Sequence, residues 1–216
     1  MAAITHEIKG EQLVLLPEKA VLWEKKSILM IADLHLGKVT HFRKAGIGLP
    51  KLAESDNLER LAQLLLDYPV DRVLLLGDLF HSYYNEEWDR FKAFLSQFGD
   101  IAFTLVKGNH DILEENAYQA TNMDVVNQLM IGPFTFTHIP MEEAEGKGQY
   151  NIAGHIHPGV YLRGKALQSM TLPCYHFTHR NLVMPAYGTF TGVARIDSHK
   201  DDCVYAIASG NVIKVQ

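Results

Sequence analysis

The chain has 216 residues, of which 20 are Lys or Arg and 25 are Asp or Glu, so its formal charge at pH 7 is −5 with histidine neutral. A composition that is 47% hydrophobic and 21% charged excludes the apolar-poor, highly charged mix of a disordered chain. The length suits one domain, residues 1–216, with a core that needs no disulfide.

Residues 4–23 read as short extended pieces around Gly10 and Pro17, a hairpin with a strand at 13–16. Three apolar runs follow, each ending in polar residues: 28–32 into Asp33, 73–76 into Gly77 and Asp78, and 102–106 into Gly108. These are expected as buried strands. The segments between them have helical spacing, with Leu58, Leu61 and Leu65 on one face of 52–66, and Trp88, Phe91, Leu95 and Phe98 on one face of the next. Strand and helix alternate, which requires some parallel sheet. From residue 134 onward the pattern turns to β, with strands expected at 134–137, 150–153, 160–163, 181–184, 192–196 and 203–208. The acidic, glycine-containing stretch 141–149 reads as flexible. Cys174 and Cys203 have no CxxC spacing and suggest neither a zinc knuckle nor a disulfide framework. Residues 1–10 are polar, and the apolar runs fall far short of the roughly 20 residues that span a bilayer. A reduced, cytoplasmic protein with no membrane partner is therefore expected.

Six of the eleven histidines come just after expected strands: His35, His81, His110, His138, His155 and His157. In an open α/β sheet the loops at the carboxyl ends of the strands share one crevice, so residues distant in sequence meet there. In order, the chain offers Asp33 with His35, Gly77 with Asp78, Asn109-His110-Asp111, an isolated His138, and Gly154-His155-Ile156-His157. Taken singly, each piece also fits an ordinary turn, cap or hydrogen-bonded histidine. Together they supply imidazole nitrogens and carboxylate or amide oxygens, the donor set of first-row divalent metals, without the thiolates of a structural zinc site. Asp33, His35, Asp78, Asn109, His138, His155 and His157 are too many ligands for one tetrahedral ion, so two ions are expected, with Asp78 placed to serve both. Two cations about 3.5 to 4 Å apart would generate hydroxide near neutral pH and neutralise a phosphodiester. A histidinium at His110 would then assist the leaving group. No GxGxxG, P-loop or Ser-His-Asp context competes with this reading.

These five blocks resemble, in order, the signature of the calcineurin-like metallophosphoesterase superfamily across residues 33–157. The resemblance implies a two-sheet α/β sandwich with flanking helices and a dinuclear centre. On that pattern Asp33, His35 and His157 hold the first ion, Asn109, His138 and His155 the second, and Asp78 bridges. His110 stays unligated toward the substrate, held by Asp111. Thr137 departs from the pattern, where a glycine often precedes the His138-type ligand. His81 lies where the superfamily varies and falls outside the expected ligand set.

Residues 34–38, 41–47 with Pro50, and 182–192 are similar to the DNA-ligase-associated, DNA-damage-response metallophosphoesterases, a family of endonucleases. That similarity implies DNA as substrate, two divalent ions of which Mn²⁺ is expected ahead of Fe or Zn, and a functional link to a DNA ligase and helicase. Residues 33–51 carry Lys38, Arg43, Lys44 and Lys51 against Asp33 alone, a local balance of 4 − 1 = +3. Lys38 and Arg43 are expected on phosphates flanking the scissile one, with His41 and Phe42 lining the groove. Tyr83 and Tyr84 are candidate groove residues, and Trp88 is expected in the core. Residues 174–180 and 187–190 carry the resemblance without a role. A phosphatase or cyclic-nucleotide phosphodiesterase with the same centre is the alternative, and a non-catalytic scaffold ranks last because it would not need His110 and all seven ligands.

Overall fold

The computed structural model describes residues 2–38, 52–81, 83–142, 148–164, 168–189 and 191–216, with the side chains of the helix that begins at Leu52 described from Asp56 onward. Arg43, expected on a flanking phosphate, and His41 and Phe42, expected to line the groove, lie outside the described residues, as do Lys44 and Lys51. The chain starts as an antiparallel meander of β1 (Ile4–Ile8), β2 (Glu11–Leu15) and β3 (Val21–Trp23), one strand more than a hairpin. Strand β3 pairs antiparallel with β4 (Ile28–Ala32). From there β4, β5 (Arg72–Leu76), β6 (Ala102–Val106) and β7 (Asp124–Val126) run parallel, in sequence order. Helices α1 (Leu52–Asp67), α2 (Glu86–Gln97) and the short α3 (Glu115–Gln119) make the connections. The three apolar runs are unbroken because both faces of their strands are covered: β4 is buried throughout, and β5 and β6 are buried from their second residue on. Asn85 caps α2 by accepting from the Glu87 amide at 2.8 Å, and acidic residues fill the first turn, where the helix dipole favours them.

The second sheet comprises β8 (Leu129–Ile131), β9 (Phe134–Phe136), β10 (Tyr150–Ala153), β11 (Pro158–Arg163), β12 (Ser169–Phe177), β13 (Asn181–Val183), β14 (Ala194–Arg195), β15 (Cys203–Ala208) and β16 (Asn211–Lys214). Its order is β14-β11-β12-β13-β10-β9-β8, with β15 and β16 branching from β12. This is the two-sheet sandwich with flanking helices that the sequence implied. Strands β7, β8, β16 and the nine-residue β12 were not expected, and the strand anticipated at 192–196 shrinks to the two residues of β14.

One apolar cluster lies between the first sheet and its helices, centred on Trp88, Phe80, Phe91 and Leu61. A second fills the space between the sheets, with Trp23, Phe134, Tyr150 and Tyr175 at its centre. Trp23 meets Phe134 edge-on at 4.9 Å, and Trp88 meets Phe80 at 5.3 Å and Tyr118 at 5.5 Å. Trp88 is core, as expected. Among the described residues no helix is long and apolar enough to cross a membrane.

Because Trp88 is fully buried in a cluster of rings, Trp88→Ala leaves a cavity that the neighbouring strands cannot close. It should lower unfolding stability by about 3 to 5 kcal/mol, read as a shift of the denaturant midpoint.

Candidate metal centre

Strands β4, β5 and β6 of the first sheet and β9 and β10 of the second end at one rim of the sandwich. The loops leaving them are laced together: Asp33 donates its amide to Gly77 O at 3.2 Å, His35 to Asp78 O at 2.9 Å, Leu36 to Leu79 O at 2.9 Å, and Gly154 to His138 O at 3.0 Å. Loops 33–36 and 77–80 therefore continue the β4–β5 pairing beyond the strands, ending in a bridge between Leu36 and Phe80. Asp33, His35, Asp78, His155 and His157 all have positive φ, between 48° and 68°, the left-handed region that non-glycine residues rarely occupy. That backbone turns each side chain back over the strand ends. Close approach also requires missing side chains. A Cβ on Gly77, itself at φ 75°, would fall inside the His138 ring, and one on Gly154 would fall on the Asp33 carboxylate.

The result is two groups of three whose donor atoms all lie within 4.8 Å of one another: Asp33, His35 and His157, and Asp78, His138 and His155. In the first, His157 Nε2 is 3.3 Å from Asp33 Oδ1 and 3.4 Å from His35 Nε2. In the second, His138 Nε2 is 3.1 Å from His155 Nδ1, 3.3 Å from Asp78 Oδ1 and 3.0 Å from Asn109 Oδ1. Asp78 joins the groups, with its other oxygen 3.9 Å from His35 Nε2. All seven expected ligands are thus brought to one place.

The chemistry of this cluster fits cations. His138 Nδ1 faces the Leu76 carbonyl at 3.1 Å and donates to it, which turns Nε2 toward the oxygens of Asn109 and Asp78. Asp33 Oδ1 is buried with no hydrogen-bond partner, while Oδ2 accepts from the His155 amide at 2.9 Å. Burial, with the charge of Lys38 next, pulls the His35 pKa down to about 2, and burial lowers that of His155, so both imidazoles stay in the neutral form a metal takes. Asp33, His35 and His157 would hold one divalent ion, Asn109, His138 and His155 the other, with Asp78 between them.

His110 is exposed and outside both groups; its amide donates to Asp78 Oδ1 at 2.9 Å. Its ring lies 4.1 Å from that of His81, which is in turn 5.4 Å from His35. His81, one of the six histidines after expected strands but left out of the expected ligand set, reaches the rim because its amide donates to Leu36 O at 2.8 Å. Asp111 does not reach the His110 ring. Its Oδ1 accepts from the Phe80 amide at 3.0 Å and its Oδ2 from the Gly108 amide at 2.8 Å, so it joins the Asp78 and Asn109 loops. Lys38 is half-buried near the carboxylates: burial lowers its pKa, and Asp78 and Asp33 act in the opposite sense. Tyr83 and Tyr84 are exposed and line a cavity of about 700 Å³ with Ile112 and Leu113.

The segments left without roles also acquire them. Tyr187 and Gly188 donate their amides to Ala32 O and Asp33 O, at 2.8 and 3.1 Å, and the Arg60 guanidinium covers the Tyr187 ring at 4.1 Å, so this turn braces the Asp33 loop. His176 pairs with Asp202 at 2.8 Å on the β12 side of the second sheet.

Residues 26–176 match the calcineurin-like phosphoesterases, a span that includes every one of the seven ligands. The chain belongs to that family and is a metal-dependent phosphoesterase. Its fold is similar to that of the Pseudomonas putida nuclease MPE, at a TM-score of 0.81 and 24% identity over 99% of this chain and 100% of that one. It is also similar, more distantly, to the Aquifex aeolicus protein AQ665, at 0.44 and 19% over 60% and 78% of the two chains, and to Chaetomium thermophilum Vps29, at 0.36 and 11% over 84% and 81%. No curated protein matches.

Asp78→Asn should leave the purified, metal-reloaded protein short of two ions per chain, by elemental analysis, because it weakens the carboxylate that lies between the two groups. Gly154→Ala removes no ligand, yet should lower metal content too, since its new methyl occupies the place of the Asp33 carboxylate. A full complement in both variants would show that these loops do not hold the metals.

Proposed function

We propose that this protein is a DNA endonuclease with a dinuclear centre, and that His110, beside His81, assists departure of the leaving oxygen. The observation that carries the reading is the placement of two ligand groups on one rim with an exposed, unligated imidazole next to them. The whole-chain similarity in fold to a bacterial nuclease supports it. When bound, the two ions would supply a hydroxide nucleophile near neutral pH and neutralise charge on the phosphate.

The remaining work falls to the chain's own groups. The His110 backbone is fixed by its amide bond to Asp78, so its ring sits beside the bridging carboxylate while staying outside the ligand groups. A deoxyribose alkoxide is a poor leaving group, and a proton from this imidazole, or its positive charge, offsets the charge that develops. The His81 ring lies beside it, 4.1 Å between centroids and tilted by 42°. Asp111 acts as a positioning residue, since its carboxylate is occupied by the two amides that hold the Asp78 and Asn109 loops together. Lys38 places an ammonium at the edge of the centre, where a phosphate flanking the scissile one would meet it. On the same reading the ions are Mn²⁺, and the protein acts alongside a DNA ligase and helicase.

Chelation should abolish hydrolysis, and Mn²⁺ should restore it; undiminished turnover by metal-free protein would remove the mechanism. His110→Ala should keep both metals and lose roughly 10² to 10⁴ in DNA cleavage rate, with a smaller loss on bis(p-nitrophenyl) phosphate, whose leaving group needs no proton. Internal cutting is tested with closed circular single-stranded and duplex DNA, which offer no end to an exonuclease. Linearisation of at least one circle is expected. If only linear DNA is cut, the enzyme is an exonuclease; if all DNA is inert while small diesters or cyclic nucleotides turn over, the substrate is a small phosphodiester.

A further inference from the structure

Strand β11 begins at the residue after the ligand His157 and leads away from the metal rim. Its inner residues, Pro158 and Gly159, are buried; residues 160–162 are half-buried, and Arg163 is exposed. The partner β12 follows the same gradient, exposed over residues 169–171 where it pairs with the outer end of β11. The two strands therefore form an arm that extends past the cover of the sandwich. Strand β14 lies on its other side in parallel, and its Arg195 stands opposite Gly159.

Alternation in a strand puts Gly159, Tyr161 and Arg163 on one face. The register thus brings together two arginines that are 32 residues apart in the sequence. The Arg195 guanidinium lies over the Tyr161 ring at 4.2 Å from its centroid, and that of Arg163 lies at 5.6 Å. Among the described residues neither arginine is within ion-pair distance of a carboxylate, in a chain with 25 of them. Two guanidinium groups gathered around one ring without an acid repel each other, and an anion relieves that repulsion. Tyr161 and Arg163 also border a cleft of about 320 Å³ with Gly164, Gln168 and Ser169, which adds hydroxyl and amide donors.

We propose that Arg163 and Arg195, held around Tyr161, form a subsite for backbone phosphates of the DNA strand beyond the one being cut. This rests on the reading of the protein as a DNA nuclease. The occupant is a nucleic-acid strand because the arm starts at a metal ligand: at about 3.3 Å per residue, Tyr161 lies roughly 13 Å along the chain from His157, a separation that a polyanion running out of the centre covers in a few nucleotides. Guanidinium groups suit the task, since they bind phosphate oxygens in pairs. The ring of Tyr161, already faced by both arginines, preorganises them by cation–π contact.

The test is binding of a fluorescent single-stranded oligonucleotide to the intact protein as a function of salt, by anisotropy. The double variant Arg163→Gln with Arg195→Gln should bind several-fold more weakly and should lower the magnitude of the log-log salt slope by about 1.4, from 0.7 for each of two phosphate contacts to a single strand. Its melting temperature and metal content serve as folding controls, because both side chains are exposed. The double lysine variant should restore most of the slope, and Tyr161→Phe, which keeps the ring, should bind better than Tyr161→Leu. A wild-type slope and affinity in the double glutamine variant would overturn the subsite and leave the nuclease reading standing. A wild-type protein that neither binds nor cuts DNA, while it hydrolyses bis(p-nitrophenyl) phosphate, would overturn the nuclease reading and the subsite with it.

Discussion

The rim of the sandwich is organised around a set of lone pairs that face one another. Three of the ligands are held from behind by a backbone group: His138 by the Leu76 carbonyl, Asp33 by the His155 amide, Asp78 by the His110 amide. With those contacts made, the remaining nitrogens and oxygens of the two groups face one another, and a cation placed among them would satisfy several at once. In low-dielectric surroundings such an arrangement is unfavourable on its own. Cations would turn it into an attraction, so that metal affinity and the stability of these loops would become one quantity.

Building this cluster required the backbone to leave its easy conformations. Five expected ligands adopt positive φ, and Gly77 and Gly154 leave room where a methyl group would displace a ligand. Strain of this kind persists only if the surroundings over-determine it. Here they do so from several directions: the β4–β5 pairing continues into the loops, Asp111 joins two of them through backbone amides, the Tyr187 turn supports Asp33, and the buried Glu87 carboxylate accepts from the Gly37 amide. The sheets serve as the rigid base on which short loops hold a costly geometry.

This division of labour explains what was readable beforehand. The ligand blocks were legible because buried parallel strands are written as unbroken apolar runs, and each run stops at the residue where chemistry starts, as at Ala32-Asp33 and Leu76-Gly77-Asp78. Local periodicity also located α1 and α2. Strand β12 was hidden because Pro173 cuts the short alternation of residues 169–172 from the buried inner half, whose run is broken by His176. The contacts that place His81 and Asp111 were hidden for another reason. Their positions follow from bonds to backbone groups of distant loops, at Leu36, Phe80 and Gly108, and a backbone amide has no letter in the sequence. The Arg163–Arg195 pairing depends on strand register, which a run of residues without an obvious β14 does not reveal.

On the proposed reading of the protein as a DNA nuclease, the structure reconciles an acidic chain with a polyanionic substrate. Net charge acts at a distance, and at physiological salt that distance is about 8 Å, so acids far from the rim hardly oppose a strand lying along it. Several lie on exposed helix surface, such as Glu86 and Asp89 at the start of α2, where they serve the helix dipole. At the rim itself two divalent cations would add four positive charges to a formal −5, leaving −1 for the loaded protein. On that reading the sign that a strand encounters would be set locally, by the ions, Lys38, and the two guanidinium groups on the β11 arm. A globally acidic protein can present a positive path in this way, and its remaining negative charge disfavours nonspecific adhesion to nucleic acid away from the centre.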